Sequence, residues 1–292
     1  MRLCLSVLWI GALTGAACTG TEGTLLVLHD AAGASGSWAG SNVGGGSAGN
    51  QMLETPYVPG VDVTWQAKLT GAVDIEEDAE LFYLDAELQD PADLATLHAE
   101  GRHYLCYLSA GSLEEFRDDA QEFPEEVIGK PLTSFPDERW LDVRAPVVRE
   151  LMARRIEALA GAGCDGVPPS SLAVHVADSG FALTVDDTLD YARWFAERIH
   201  AAGMSAGLTG PAALTSELWP TFDFGLAIGC LDGTRCAEFA VFGQAGKPVL
   251  HLELGDEDSA VRICKDAEAL GFVPLVTSPS FNGQTVRCQD IL

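Results

Sequence analysis

Residues 163–175 read GCDGVPPSSLAVH, and the reading of this stretch decides how the chain is built. Gly163 closes APVVRELMARRIEALAGAG (145–163), where Val148, Leu151, Met152, Ile156 and Leu159 fall on one helical face. The run CDGV that follows reads as a short buried strand, so helix and strand here form one unit of an alternation. LFYLDAEL (81–88), HYLCYLSAG (103–111), SAGLTG (205–210), FDFGLAIG (222–229), PVLHLEL (248–254) and FVPLVTS (272–278) read as further strands. WQAKL (65–69) and WLDVR (140–144) bring the candidates to nine. Repeated strand–helix units predict a parallel sheet covered by helices, here an α/β (β/α)₈ TIM-type barrel, which takes eight strands. The sequence leaves open which candidate lies outside it. An open doubly wound sheet is the alternative, but no glycine-rich dinucleotide fingerprint follows the first strand. Ser112 with Glu115, in SLEEF, and Thr184 with Asp187 read as capping boxes that open helices. In a barrel the chemistry sits at the C-terminal ends of the strands. After CDGV that position holds Pro168, Pro169, Ser170 and Ser171.

Composition narrows the partners. The 292 residues are 47% apolar, enough for one large α/β domain or two small ones. Lys and Arg total 17 against 43 Asp and Glu, a formal charge of -26. That field repels nucleic acid and attracts a cationic ligand; a solvated acidic surface is the plainer account of the same charge. At the N-terminus, MRLCLSVLWIGALTGAACTG has Arg2, an apolar run from Leu3 to Leu13, then small residues before Cys18. This is the layout of a secretory signal peptide, too short to span a bilayer. Gly15-Ala16-Ala17-Cys18 is similar to a bacterial lipobox, with Gly15 where such boxes prefer Leu. The expectation is an exported protein held at a membrane, periplasmic or at the cell surface, through a lipid on Cys18. An ordinary signal peptide with an incidental cysteine is the alternative. Residues 19–60, which include AAGASGSWAGSNVGGGSAGNQ (31–51), read as a flexible linker, and 61–292 as the barrel. The histidines are scattered and Cys230-x₅-Cys236 lacks a second pair, so no metal site is expected, and no cofactor.

A set of short stretches, in order along residues 62–292, resembles glycoside hydrolase family 114, the endo-α-1,4-polygalactosaminidase-like TIM barrels. They are TWQAKLTG (64–71), CYLSAGS (106–112), GKPL with FPDERWLDVR (129–144), GCDGV (163–167), the FDF…C segment (222–230) and GKPVLHLELG (246–255). The resemblance implies disulfides Cys230–Cys236 and Cys264–Cys288. Cys106 and Cys164, in adjacent buried strands, are expected as free thiols. It also implies functional residues that this sequence lacks. Tyr83 stands for the first of two aspartates, of which Asp85 remains. Pro168-Pro169-Ser170-Ser171 stands for Glu-Pro-Asp-Asn, Thr209-Gly210 for Lys-Asn, Ala227-Ile228-Gly229 for Asn-Glu-Gln, and Thr277 for a lysine.

Trp65, Gln66, Asp85, Tyr107, Ser109, Asp142, Arg144, Asp165 and Glu253 match the family pattern. Asp85 and Glu253, near strand ends, are the candidates for acid–base work. Trp65 is a candidate platform for stacking on a sugar. Tyr107 reads as a platform or as packing, while Asp142 and Asp165 read as ligand contacts or as bridges to nearby backbone. Glycoside hydrolysis needs two carboxylates flanking the bond, a role closed to proline and isoleucine. The expectation is therefore a tethered barrel that binds an amino-sugar polymer, possibly cationic, without cutting it. An active hydrolase using Asp85 and Glu253, with Asp165 as a further candidate, and a protein-interaction scaffold are the alternatives.

Overall fold

The computed structural model describes residues 55–231 and 235–292. The expected signal peptide, Cys18 and most of the expected linker lie outside the described residues. Contact with the barrel begins inside the linker's expected span, where Tyr57 stacks on His103 with ring centroids 3.6 Å apart. Among the described residues no helix is long and apolar enough to cross a membrane.

Eight parallel strands form the barrel wall: β1 (Trp65–Lys68), β2 (Leu81–Leu84), β3 (His103–Cys106), β8 (Gly166–Val167), β10 (Ser205–Leu208), β11 (Phe224–Ile228), β12 (Val249–Leu254) and β13 (Val273–Thr277). A ninth, β14 (Thr285–Arg287), runs antiparallel to β13 and ends the sheet. The sheet curls until this edge meets β1. There Leu69 N–H donates to Phe281 O at 3.0 Å, the Thr285 hydroxyl bonds the Gln66 amide oxygen, and Trp65 Nε1 donates to Val273 O at 3.2 Å. The barrel is thus nearly closed, with one antiparallel strand at its seam.

Period-two alternation sorts the side chains. On β2, Leu81 and Tyr83 point into the barrel with Leu105, Leu226, Leu250 and Leu275, while Phe82 and Leu84 face the helices. The helical layer is α1 (Pro91–Ala99), α2 (Pro146–Gly161), α3 (Val185–Ala201), the short α4 (Thr215–Leu218), α5 (Arg235–Glu238) and α6 (Ala240–Gln244), and α7 (Glu257–Glu268). Helix α2 buries the expected face, Val148, Leu151, Met152, Ile156 and Leu159. Thr184 and Asp187 form the expected capping box of α3.

Two small sheets stand on the C-terminal side. β4 (Leu108–Ser109) pairs in parallel with β9 (Pro169–Ser170), continuing β3 and β8 past the barrel wall. β5 (Ser112–Glu114), β7 (Glu138–Leu141) and β6 (Ile128–Pro131) make an antiparallel sheet in the order β5-β7-β6. WLDVR is accordingly the candidate outside the barrel, since its first residues belong to β7. The helix expected at SLEEF is corrected too. Ser112, Leu113 and Glu114 are extended and buried opposite Trp140, Arg139 and Glu138, because long-range pairing outweighs a local capping signal.

Among the described residues three disulfides cross-link the chain, Cys106–Cys164, Cys230–Cys236 and Cys264–Cys288. The last two are as the resemblance implies; the first corrects the expectation of free thiols. Leu105 on β3 lies opposite Gly166 on β8, which sets the Cα atoms of Cys106 and Cys164 5.8 Å apart with both side chains on the helix side of the sheet. This bond spans 58 residues and Cys230–Cys236 spans 6. Chain entropy then predicts a loss of about 4 kcal/mol on replacing Cys106 and Cys164 by alanine, against about 2 kcal/mol for Cys230 and Cys236. Denaturant midpoints of the two double variants, compared with wild type, measure the difference.

Candidate functional site

A cavity of about 860 Å³ opens between the C-terminal strand ends and the antiparallel sheet. The barrel contributes Tyr107, Ser170, Ser171, Thr209 and Ile228, each just past or at the end of a strand. The sheet side contributes Leu132, Phe135, Glu138 and Trp140, and the chain after β9 contributes Val176 and Asp178. On β7 the alternation puts Glu138 and Trp140 on one face. At the rim, Lys130 Nζ reaches the Asp178 carboxylate at 2.7 and 2.8 Å, strapping the loop after β9 to β6. The site has apolar and aromatic walls and a few placed polar groups, the usual make-up of a ligand pocket.

Glu138 is the buried carboxylate of this wall, 5% exposed, and accepts from Ser112 Oγ at 2.5 Å. Burial, reinforced by the neighbouring Glu114, pushes its carboxyl up to about 7, against the pull of Ser112 and Arg117. Behind it the Arg117 guanidinium sits among three carboxylates. It donates to Asp85 at 2.8 and 3.2 Å and to Glu114 at 2.9 and 3.1 Å, and lies 3.0 Å from Glu87. Burial opposes the charge of Arg117, but Glu114, Asp85 and Glu87 outweigh it and raise its pKa further.

Of the residues singled out in the sequence, Tyr107 lines the cavity and Ser109 lies directly beneath it, bonded to Ser112 and Ser171. The others lie elsewhere. Asp85 is 2% exposed under Arg117 and caps the short turn 86–88. Glu253 accepts from Leu231 N–H at 3.1 Å and lies 3.2 Å from His251 Nε2. Burial acts to raise its pKa, but His251 and backbone donors overcome this and hold it below the usual value. Trp65 opens β1, at the barrel's opposite end, and is 2% exposed in the interior, where a sugar has no access to its face. Gln66 binds Glu77 at 2.6 Å beside the seam. Asp165 precedes β8, also at the opposite end, and bridges His98 at 3.0 Å, His103 at 3.1 Å and the Tyr104 N–H at 2.9 Å. Asp142 and Arg144 pair at 2.8 and 2.9 Å and tie down the Ala182 carbonyl.

Glu138, Phe135 and Trp140 were not singled out in the sequence. They lie within FPDERWLDVR, one of the family-like stretches, and the alternation of Glu138, Arg139 and Trp140 is the signal that points to them. Among the described residues, Cys230, Cys236 and His251 bring ligating atoms within 4.8 Å of one another. The disulfide holds both sulfurs, so this group lacks the thiolates a metal would need.

The raised pKa of Glu138 makes a stability prediction. Its folded value, about 7, exceeds the ordinary 4.5, so it favours the folded state fully below about pH 4.5 and this contribution is lost as pH rises through 7. The neutral variant Glu138→Gln should match wild type near pH 4.5 and exceed it above neutrality by on the order of 3 kcal/mol. Urea midpoints at both pH values check this; a difference independent of pH contradicts it.

The comparisons agree with this architecture. The model of glycoside-hydrolase family GH114 matches residues 46–292. The crystal structure of Aspergillus fumigatus Ega3 in complex with galactosamine is 29% identical, with a TM-score of 0.76 over 80% of this chain and 98% of that one. The glycoside hydrolase domain of PelA from Pseudomonas aeruginosa shares the fold at 16% identity, with a TM-score of 0.62 over 77% of this chain and 98% of that one. No curated protein sequence matches. With the family model spanning the whole barrel and the cavity at its C-terminal mouth, the chain belongs to glycoside hydrolase family GH114.

Proposed function

We propose that this chain is an exported, membrane-anchored GH114 barrel that binds an amino-sugar polysaccharide of the galactosamine type, with hydrolysis lost or strongly reduced. The observation that carries this reading is the placement of Ser170 and Ile228, which line the cavity where the family resemblance implies carboxylates. Cleavage needs a pair of carboxylates on either side of the bond, and each positioned acid or base contributes roughly 10²- to 10⁴-fold. Asp85 is held by Arg117, and Glu253 points beneath the backbone of Leu231. Binding asks for less. Tyr107, Phe135 and Trp140 offer apolar faces, and Glu138 and Asp178 offer acceptors for hydroxyl or ammonium groups. Ega3, the 29% identical relative, was crystallised with galactosamine. The charge of -26 supports a cationic ligand and disfavours an acidic one.

A second reading has one observation in its favour. Glu138 lines the cavity with its carboxyl pushed up to about 7, the range of a general acid near neutrality. Its potential partner Asp178 is on the rim and bound to Lys130.

The purified full chain should retain a galactosamine polymer, less so at high salt because the attraction is screened, and should release no new reducing ends. Trp140→Ala should weaken retention about tenfold, as loss of a stacking face does. Release of reducing ends by wild type, abolished in Glu138→Gln, would establish the hydrolase instead. For the anchor, Cys18→Ala should move the protein from the membrane to the soluble fraction or block its processing. Unchanged partitioning would remove the anchor from the proposal.

A further inference from the structure

His251 is a buried ionisable group that the cavity does not use. It sits on β12 opposite Ala227 of β11, fully buried, with the Phe272 ring beside it at a centroid separation of 6.0 Å. One side of the imidazole is accounted for. Nε2 lies 3.2 Å from Glu253 Oε2, and Glu253 is itself held by the Leu231 N–H at 3.1 Å. A carboxylate has no hydrogen to donate, so this bond sets the tautomer with the hydrogen on Nε2. The ring's lone pair then lies on Nδ1, which is buried and has no partner among the described residues. Native structures leave few such atoms unsatisfied, and each asks for an explanation.

The neighbours supply one. β11 ends at Ile228, the backbone turns through Gly229 at φ 56°, and Cys230 follows, while Cys236 stands in α5. An imidazole nitrogen of His251 and the sulfurs of Cys230 and Cys236 all lie within 4.8 Å of one another. All three residues are buried. Two sulfurs and an imidazole are the donor set of a borderline-soft divalent ion, zinc above all. An imidazole that ligates such an ion normally gives its other N–H to a carboxylate, and His251 and Glu253 already stand in that relation. What withholds the site is the bond between the two sulfurs.

We propose that Cys230, Cys236 and His251 form a zinc-type metal site that the disulfide closes and reduction opens, with Glu253 orienting the imidazole. The site is independent of what the cavity binds. Its chemistry balances. A small dithiol breaks the Cys230–Cys236 bond by exchange, is itself oxidised to a cyclic disulfide, and leaves both cysteines as thiols. The ion then takes both as thiolates and releases their two protons to solvent, so the two thiolates offset its charge in an interior that holds little water. His251 is the third ligand, and a water takes the fourth position. Two features make this the pair to open. It spans 6 residues, against 58 and 24 for the others, so its closure constrains the unfolded chain least. Cys230 also borders the cavity, which gives a small thiol a route to it, whereas Cys106, Cys164, Cys264 and Cys288 do not.

The test treats the full chain with a small dithiol under native conditions, removes the dithiol without air, and titrates Co²⁺ alone as a coloured stand-in for zinc. The reduced protein should develop the thiolate-to-cobalt charge-transfer band and the visible bands of tetrahedral cobalt, Zn²⁺ should bleach them, and the untreated protein should show neither. Re-oxidation by a disulfide reagent should expel the ion. Cys236→Ser should abolish the charge-transfer band. Glu253→Gln should keep it but weaken metal affinity by about tenfold, the scale of a lost carboxylate partner behind a ligating imidazole. Because a variant can fail to fold, wild type is also alkylated after reduction, with and without Zn²⁺, and its cysteines mapped. Protection of Cys230 and Cys236 by Zn²⁺ supports the proposal. Protection confined to other cysteines, or none, overturns it, as does a Cys230–Cys236 bond that the dithiol leaves closed in the folded chain. A Glu253→Gln affinity equal to wild type removes Glu253 from the site.

Discussion

The guanidinium of Arg117 meets Asp85 where β2 ends, Glu114 within β5 and Glu87 just beyond the barrel wall. Taken out of water, such a group has little net value, but removing one partner typically costs about 3–5 kcal/mol because the rest is left buried and unpaired. Its larger effect is geometric. It pins the added sheet to the barrel, and because β5 pairs with β7, the same anchor fixes Glu138 and Trp140 above the strand ends. It is also one positive charge among three negative ones. Burial first, and Glu114 of this cluster second, raise the carboxyl of Glu138, so that it keeps its proton at a pH where an exposed glutamate has long lost it.

The cavity is accordingly a joint product. The barrel alone supplies the floor, with Ser170, Ser171, Thr209 and Ile228, and this floor is poor in charge. The antiparallel sheet supplies the one buried acid and most of the aromatic surface. A site whose polar group and apolar walls come from an insertion between β3 and β8 can change its ligand without disturbing the strands, which is how one fold hosts many activities.

The barrel was legible in the sequence wherever local pattern and tertiary role agree. Strand–helix alternation, the buried face of α2 and the Thr184 box of α3 all survive into the structure. SLEEF departs from its local pattern because Ser112 and Glu115 carry a helix signal that only a partner in β7, some 26 residues on, can override. Cys106 and Cys164 were placed on neighbouring strands, but their bonding depends on both side chains facing the helices at one register. The strand-end rule led to Asp85 and Glu253, which do sit at the correct ends; what sequence cannot convey is that each turns aside, one to Arg117 and one to Leu231. Trp65 and Asp165 fall at strand beginnings, and that becomes visible only when the strand limits are known. Glu138 is not legible as a site residue because its burial at the cavity follows from the pairing of β7 with β5 and β6, which the alternation with Trp140 alone does not specify.

The seam has a consequence for how the protein is made. β1 finds its last neighbours in residues 281–285, more than two hundred positions later, so a nascent chain carries an unpaired β1 edge until those residues have been synthesised. Contacts this distant in sequence slow folding, and open strand edges invite pairing with other chains. A polypeptide that cannot close its barrel early leaves this edge open to pairing with other chains until the seam residues arrive.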